Sequence, residues 1–69
     1  MSRTDYVYVD VEIRKVSQRA ILVKPSDGGE EAWIPRSVIE DGEIYLESSV
    51  GTRSMPLGIE EWKVDELGW

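Results

Sequence analysis

The alternation of apolar and polar residues from Tyr6 to Val16 limits the possible folds of this chain more than any other feature. The apolar residues share one face of an extended segment and the polar residues share the other: Val7, Val9, Val11 and Ile13 against Tyr8, Asp10, Glu12 and Arg14. A period of two is typical of a strand with one buried face. The two tyrosines on the polar face indicate that the first half of this strand is also partly covered.

Two further strands follow in the sequence. Residues 17–19 predict a turn, and residues 20–24 predict a second strand that is more continuously apolar than the first and is closed by Pro25. The Asp-Gly-Gly sequence at residues 27–29 predicts a hairpin turn, because glycine adopts positive φ at low cost. Residues 31–34 return as a third strand. Pro35 ends it and suits the first position of a helical turn over residues 36–39.

The second half of the chain predicts two weaker strands and a helix. Residues 43–47 predict a fourth strand with Ile44 and Leu46 on one face. Residues 52–57 predict a weak fifth strand, which Pro56 places at a sheet edge. We interpret Gly58 as a separator and residues 59–67 as a helix with Ile59 and Trp62 on one face. Gly68 suits the left-handed position of a Schellman ending, which would return Trp69 to Val64. The predicted fold is therefore α+β or mainly β: a small bent antiparallel sheet or open barrel of about five strands, with one C-terminal helix.

Length and composition allow one domain, residues 1–69. The chain has no Cys and no His, so it lacks thiolate ligands and the commonest general base and metal ligand. No serine lies in a nucleophile elbow, and no glycine-rich phosphate loop precedes a helix. Acidic pairs such as Glu30–Glu31 lie on expected surface turns, without a pocket to shift their pKa. We predict that the protein is not an enzyme and uses no cofactor and no metal.

The charge is distributed unevenly along the chain. Residues 1–25 carry five basic and three acidic side chains, whereas residues 26–69 carry three basic and eleven acidic ones, which gives the net −6. Such a field affects solubility and association rather than the fold. It argues against direct nucleic-acid binding and favours a basic partner. A role in solubility alone would produce the same pattern.

Acidic residues of the second half are therefore the candidate partner-binding residues. They are Glu40, Asp41, Glu43, Glu47, Glu60, Glu61, Asp65 and Glu66. Acids on neighbouring strands and turns can approach the charge density of DNA, which carries one charge per roughly 3.4 Å of axis on each strand. Asp65 and Glu66 lie in the last helical turn, where the helix dipole disfavours them. Stability alone would have favoured Lys or Arg there.

The aromatic residues have two possible roles. Exposed tryptophans often mark interface hot spots, but a domain of this size needs Trp33, Trp62 and Trp69 for its core, and we expect them there. Three tyrosines, Tyr6, Tyr8 and Tyr45, would suit a base-stacking platform. In that alternative the phosphate contacts would come from a small basic cluster. Its members are Arg14, Lys15, Arg19 and Lys24.

The segment Ala-Trp-Ile-Pro-Arg-Ser-Val-Ile at residues 32–39 resembles a Trp-Ile-Pro-Lys-Ser-Gln-Ile segment of many small phage and prophage proteins. Residues 19–23 resemble their second strand. Residues 61–69 resemble their Glu-Trp-Leu-Ala-x-x-x-Gly-Leu ending, with Lys63 in place of an apolar residue. Residues 34–38 are also similar to the Ile-Pro-Ser-Asn-Tyr-Val segment of SH3 domains, which uses the same local turn. The resemblance to phage proteins implies a phage-type origin rather than an activity, and the similarity to SH3 domains implies a shared local turn rather than a peptide-binding groove.

In general character, this small acidic chain resembles the anti-CRISPR proteins, several of which bind where a CRISPR effector binds DNA. The resemblance implies an inhibitor with a DNA-mimic face, acting by protein–protein interaction on a basic nucleic-acid-binding protein of the host. We expect a cytoplasmic monomer, since no segment has signal-peptide or membrane-spanning character. One alternative is an accessory module of phage replication with an OB-like or SH3-like fold, and another is an interaction domain without an electrostatic role.

Overall fold

A computed structural model of the chain describes residues 5–69, which form one antiparallel sheet and one α-helix. The strands are β1 (Tyr6–Val16), β2 (Ala20–Pro25), β3 (Ala32–Pro35) and β4 (Met55–Glu60), and the helix is α1 (Glu61–Leu67). The strand order is β3-β2-β1-β4. The predicted small antiparallel sheet with a C-terminal helix is confirmed, and the sheet is open rather than closed into a barrel.

A β-bulge in β1 adjusts the predicted alternation. Ile13 pairs with Val23, but the next residue of β2, Leu22, pairs with Lys15 rather than with Arg14. Two cationic residues of β1 therefore oppose one residue of β2. The extra residue keeps both cations on the outer face of the sheet and returns Val16 to the core face, where it packs against the core.

The core lies between the inner face of the sheet, the helix and the segment that follows β3. Its buried members are Val11, Ile13, Ile21, Val23, Ile34, Val38, Ile39, Leu57, Ile59 and Val64. The helix ends in the predicted Schellman motif: Gly68 has φ 77°, its N–H donates to the carbonyl of Asp65, and the N–H of Trp69 donates to that of Val64. Trp69 packs against the core, as expected.

The predicted strand over residues 43–47 is wrong. Short 3₁₀ turns occupy Gly42–Ile44 and Glu47–Ser49 instead. Ile44 and Leu46, the intended apolar face, are both exposed, whereas Tyr45 packs against the core. Residues 51–52, rather than residues 43–47, form hydrogen bonds with β1. Gly51 N–H donates to the Ile13 carbonyl, and Ile13 N–H donates to the Thr52 carbonyl.

The last strand and the helix begin later than predicted. β4 replaces the expected strand at residues 52–57, and it lies at a sheet edge, as Pro56 predicted. Gly58 lies within β4 rather than between two elements, and Ile59 belongs to the buried face of β4 rather than to α1. The four-strand count therefore corrects the expected five within the described residues.

The Arg36 guanidinium connects the segment after β3 to the turn between β1 and β2 and to Gly42. Its Nε and Nη2 atoms donate to the Ser17 carbonyl at 3.1 and 2.9 Å, and its Nη1 donates to the Gly42 carbonyl at 2.6 Å. Gly42 is buried against the backbone of Arg36, and a Cβ there would lie 2.3 Å from the Arg36 carbonyl oxygen. These contacts fix the path of residues 36–42 along the sheet.

None of the helices within residues 5–69 is long and apolar enough to cross a membrane.

Candidate partner-binding surface

Tyr8 and Glu40 meet on the outer face of the sheet, at the edge formed by β4. Tyr8 of β1 is directly opposite Gly58 of β4, and the N–H of Glu40 donates to the Gly58 carbonyl at 2.8 Å. The Tyr8 hydroxyl donates to a carboxylate oxygen of Glu40. The tyrosine ring therefore spans the strand at its glycine, where a Cβ would lie 2.8 Å from the ring.

Glu40 and Asp41 change the titration of two nearby tyrosines, Tyr8 and Tyr45. The hydrogen bond to Glu40 is the main reason why the pKa of the Tyr8 phenol lies above its ordinary value, with desolvation and the charges of Glu40 and Asp41 acting in the same direction. Burial raises the pKa of Tyr45, and Asp41 and Glu40 raise it further. Both phenols therefore keep their protons to higher pH than an ordinary tyrosine would.

A second acid–aromatic pair lies further along the same edge. Glu60, at the end of β4, is opposite Tyr6, and its carboxylate accepts a hydrogen bond from Trp62 Nε1 at 2.5 Å. The Trp62 side chain is 56% exposed and that of Tyr8 is 60% exposed. We call these five residues the acidic–aromatic edge: Tyr8, Glu40, Asp41, Glu60 and Trp62.

The structure distributes the remaining candidate acids unequally. Glu43 lies on the 3₁₀ turn directly after Asp41, and Glu61 begins α1, where its N–H donates to the Asp5 carbonyl. In the sequence, Glu43 is two residues after Asp41, and Glu61 lies between Glu60 and Trp62. Asp65 and Glu66 lie in the later part of α1, and Glu66 forms an ion pair with Lys63 at 3.2 Å.

Glu47 belongs to a different part of the surface. It lines an open cleft of about 410 Å³ with Arg14, Lys15, Val16 and Val50. The acids that sequence analysis grouped into one site therefore include a subset gathered at the β4 edge and at least one residue that faces cations instead.

The opposite end of the outer face carries a tryptophan with basic rather than acidic neighbours. Trp33 is directly opposite Leu22, which is in turn opposite Lys15, while Lys24 is opposite Glu12. Trp33 is 48% exposed, whereas Leu22, which lies between Trp33 and Lys15 in the sheet, is buried. We call the set of Arg14, Lys15, Leu22, Lys24 and Trp33 the Trp33 face. The expectation that Trp33 and Trp62 are core residues is wrong, since both lie on the outer surface.

The predicted tyrosine platform does not adjoin the basic cluster. Tyr8 bonds to Glu40, Tyr6 is opposite Glu60, and the charges of Asp41 and Glu40 act on Tyr45. Phosphate groups would be repelled there. The aromatic residue that accompanies Arg14 and Lys15 is Trp33, which sequence analysis had assigned to the core.

Two exposed apolar residues were missed as candidates because they were assigned to a strand face. Ile44 is 62% exposed and Leu46 is 61% exposed, and the N–H of Ile44 donates to the Asp41 carbonyl. Ile44 therefore adds exposed apolar surface next to Asp41 of the acidic–aromatic edge. The turn-forming Asp41-Gly42 pair just before them was the signal that could have placed them outside a sheet.

Within residues 5–69, no three acidic side chains lie close enough together to share a metal ion. No protein-family model, no curated protein and no solved structure matches this chain.

Proposed function

We propose that this protein is a non-enzymatic inhibitor of phage type that binds a basic, nucleic-acid-binding surface of a host defence protein. A CRISPR effector subunit is the partner we favour, with the acidic–aromatic edge occupying the place of nucleic acid. The phage-like segments at residues 19–23, 32–39 and 61–69 support the origin. The gathering of acids and exposed aromatics on one edge supports the mode of binding.

The observation that carries this proposal is the chemistry of the acidic–aromatic edge. Glu40 and Glu60 lie on neighbouring strand-like segments, about 8 Å apart by strand geometry, with Asp41 beside Glu40. Acids at this spacing attract a basic groove and accelerate association. Trp62 and Ile44 supply exposed apolar surface of the kind that anchors an interface.

The hydrogen bonds within the edge support binding without large rearrangement. Tyr8 holds the Glu40 carboxylate on the outer face, and Trp62 holds that of Glu60. A carboxylate that is already oriented loses less side-chain entropy when it pairs with a cation of the partner. The charge therefore directs the encounter, and the oriented pairs contribute to the lifetime of the complex.

Affinity capture from host lysate, followed by competition with double-stranded DNA, tests the proposal. We expect the tagged protein to retain a nucleic-acid-binding protein, and we expect added DNA to release it. Retention of a partner that DNA does not displace would contradict the occupation of a nucleic-acid site.

A second candidate is a nucleic-acid-associated module, favoured by the exposed indole of the Trp33 face among Arg14, Lys15 and Lys24. Base stacking on an aromatic residue with flanking cations is a common mode of single-strand binding. Titration with a labelled oligonucleotide at low salt tests it, with K15E/K24E as the weakened variant. The absence of binding at low salt would exclude this role.

A further inference from the structure

Two of the exposed edges of the sheet are protected in ways that prevent pairing with another strand. β4 carries Pro56, and its outer edge is covered by the Ile39–Ile59 bridge and by the hydrogen bond from Glu40 to Gly58. β3 has only four residues, follows Glu31, and ends in Pro35. Short edges, prolines, charges and covering segments are the usual means of blocking strand addition.

The first half of β1 forms a third edge, and it lacks these protections. Its partner on one side is β4, which pairs with residues 6–11. On the other side β2 ends at Pro25, and the last contact is the hydrogen bond from Ser26 N–H to the Asp10 carbonyl at 2.9 Å. Within the described residues, no strand continues β2 alongside residues 6–9.

Backbone alternation identifies the groups that face this open side. The Asp5 carbonyl accepts from Glu61 and therefore points to the β4 side, whereas the Asp10 carbonyl points to the β2 side. Because both backbone groups of a residue in an antiparallel strand point to the same side, and successive residues alternate, Tyr6 and Tyr8 present N–H and C=O groups outward. Val7 and Val9 direct theirs to β4.

An open cleft of about 540 Å³ runs beside this edge. Val7, Val9 and Trp69 supply its apolar surface on the core side, and each of them is only partly buried. Asp10 and Asp27 supply negative charge, and none of the described residues that line the cleft is basic. A strand added here would place alternate side chains against the apolar surface and the others on the outer face beside Asp10.

We propose that this edge binds an extended segment of a partner protein by strand addition, and that the segment alternates apolar and basic residues. Backbone hydrogen bonds to Tyr6 and Tyr8 would provide affinity, and the apolar surface and the acids would select the sequence. A second copy of this chain fits less well, because two copies with net −6 would bring Asp10 and Asp27 of each together. The cleft does not include the acids of the acidic–aromatic edge, so this proposal goes beyond the proposed function and stands without it.

Amide hydrogen exchange by NMR tests the proposal on the full chain. The probe is acetyl-Lys-Val-Lys-Val-Lys-amide, and the controls are the same peptide with Glu for Lys and the same peptide N-methylated at its three central residues. At saturating probe, we expect the exchange of the Tyr6 and Tyr8 amides to slow at least tenfold. The Val7 and Val9 amides, already bonded to β4, should change less than twofold.

The controls and variants separate the causes. Neither control peptide should bind, and D10N/D27N should weaken the Lys-Val probe at least fivefold, with a folded spectrum confirming that the variant is intact. The variant E40K/D41K/E60K should bind the probe within threefold of the unmodified protein. Unchanged exchange at Tyr8 with the probe in excess would overturn the proposal. Protection of Tyr8 by self-association, detected by sedimentation without peptide, would also overturn it.

Discussion

The acidic–aromatic edge and the Trp33 face occupy the same side of one sheet, yet they have opposite electrostatic character. Tyr8 and Lys15 are seven residues apart on β1, or about 23 Å along an extended strand. Each region exposes one or more large aromatic side chains, but the charged residues that define the first region are acidic and those that define the second are basic. A basic partner would therefore engage one end of the outer face and be repelled from the other.

The two regions also differ in how far their charges are already neutralised. Arg14 of the Trp33 face lies 3.9 Å from Glu12 and 3.8 Å from Glu31. Among the described residues, the acids of the acidic–aromatic edge form no ion pair, and Glu40 and Glu60 accept hydrogen bonds from neutral aromatic donors instead. Their charge is therefore available to a partner, which is why the proposal is placed at this end.

Arg36 connects the two regions, and its removal should have the largest effect on stability. R36A loses the bonds to Ser17, at the turn beside the Trp33 face, and to Gly42, next to Asp41. We expect about 3 kcal/mol of destabilisation, since hydrogen bonds of charged donors contribute about 1.5–3 kcal/mol each. Urea unfolding measures it.

R36K is the matched control for charge. Lysine keeps the positive charge but cannot donate to both carbonyls, so it should lose most of the same stability. If R36K were as stable as the unmodified protein, charge rather than the forked geometry would hold these turns together.

Gly58→Ala tests the crossing of the β4 edge by Tyr8. The added methyl would lie 2.8 Å from Tyr8 Cε1 and 2.9 Å from a Glu40 carboxylate oxygen. We expect a loss of about 2 kcal/mol, within the range for overpacked sites, and a fall in Tm of roughly 8–16 °C for a domain of this size. Differential scanning calorimetry measures the shift.

The combined variant Y8A/G58A identifies the cause of that loss. Because truncation of the ring removes the collision, the added methyl should cost less stability in the Y8A background than in the unmodified one. Equal costs in the two backgrounds would show that the ring does not restrict this position.

A pair of tryptophan variants separates the roles of the two regions. W33A should cost about 1 kcal/mol, because Trp33 lies opposite buried Leu22 and its removal exposes apolar surface. W62A should change stability by less than about 0.5 kcal/mol, as is usual for an exposed side chain, but should weaken partner binding about tenfold. Chemical unfolding and calorimetric titration measure the two effects, and the reverse assignment would contradict the account.

The smallest expected effect is a change in tyrosine titration. In E40Q, the pKa of Tyr8 should fall towards the ordinary value near 10, because the carboxylate that favours the neutral phenol is gone. The pKa of Tyr45 should change less, because burial and Asp41 still raise it. Raised pKa values in the folded state stabilise it fully below the unfolded pKa, and this stabilisation is lost as pH rises through the folded pKa. Carbon-13 NMR of the tyrosine rings follows the titration; an unchanged Tyr8 pKa in E40Q would contradict the role of Glu40.

The sequence predicted the sheet because its patterns follow local periodicity. The alternation in β1, the turn at residues 27–29 and the helix ending at Gly68 all depend on neighbours in the chain, and the structure has each of them. The bulge at Arg14 was visible only as two consecutive cations, whose consequence depends on pairing with Leu22.

The failures arose where distant contacts decide the structure. Gly58 resembled a separator between two elements, but it lies within β4. A glycine is needed there because the ring of Tyr8, fifty residues earlier in the chain, leaves no room for a Cβ. Residues 43–47 alternate like a strand, yet residues 51–52 take the hydrogen bonds of Ile13. The acidic–aromatic edge depends on the same long-range register, so composition identified its acids but not their grouping or the exposure of Trp62.

The most direct test of the central claim compares two charge reversals against the partner recovered by affinity capture. E40K/D41K/E60K reverses the acidic–aromatic edge, and E30K/E31K/E47K reverses acids elsewhere in the chain; both bring the net charge from −6 to zero. We predict that the first variant loses about 100-fold in affinity and that the second changes it by less than about threefold at 0.15 M salt, where distant charges are screened. Equal losses in the two variants, or no loss in the first, would contradict the account.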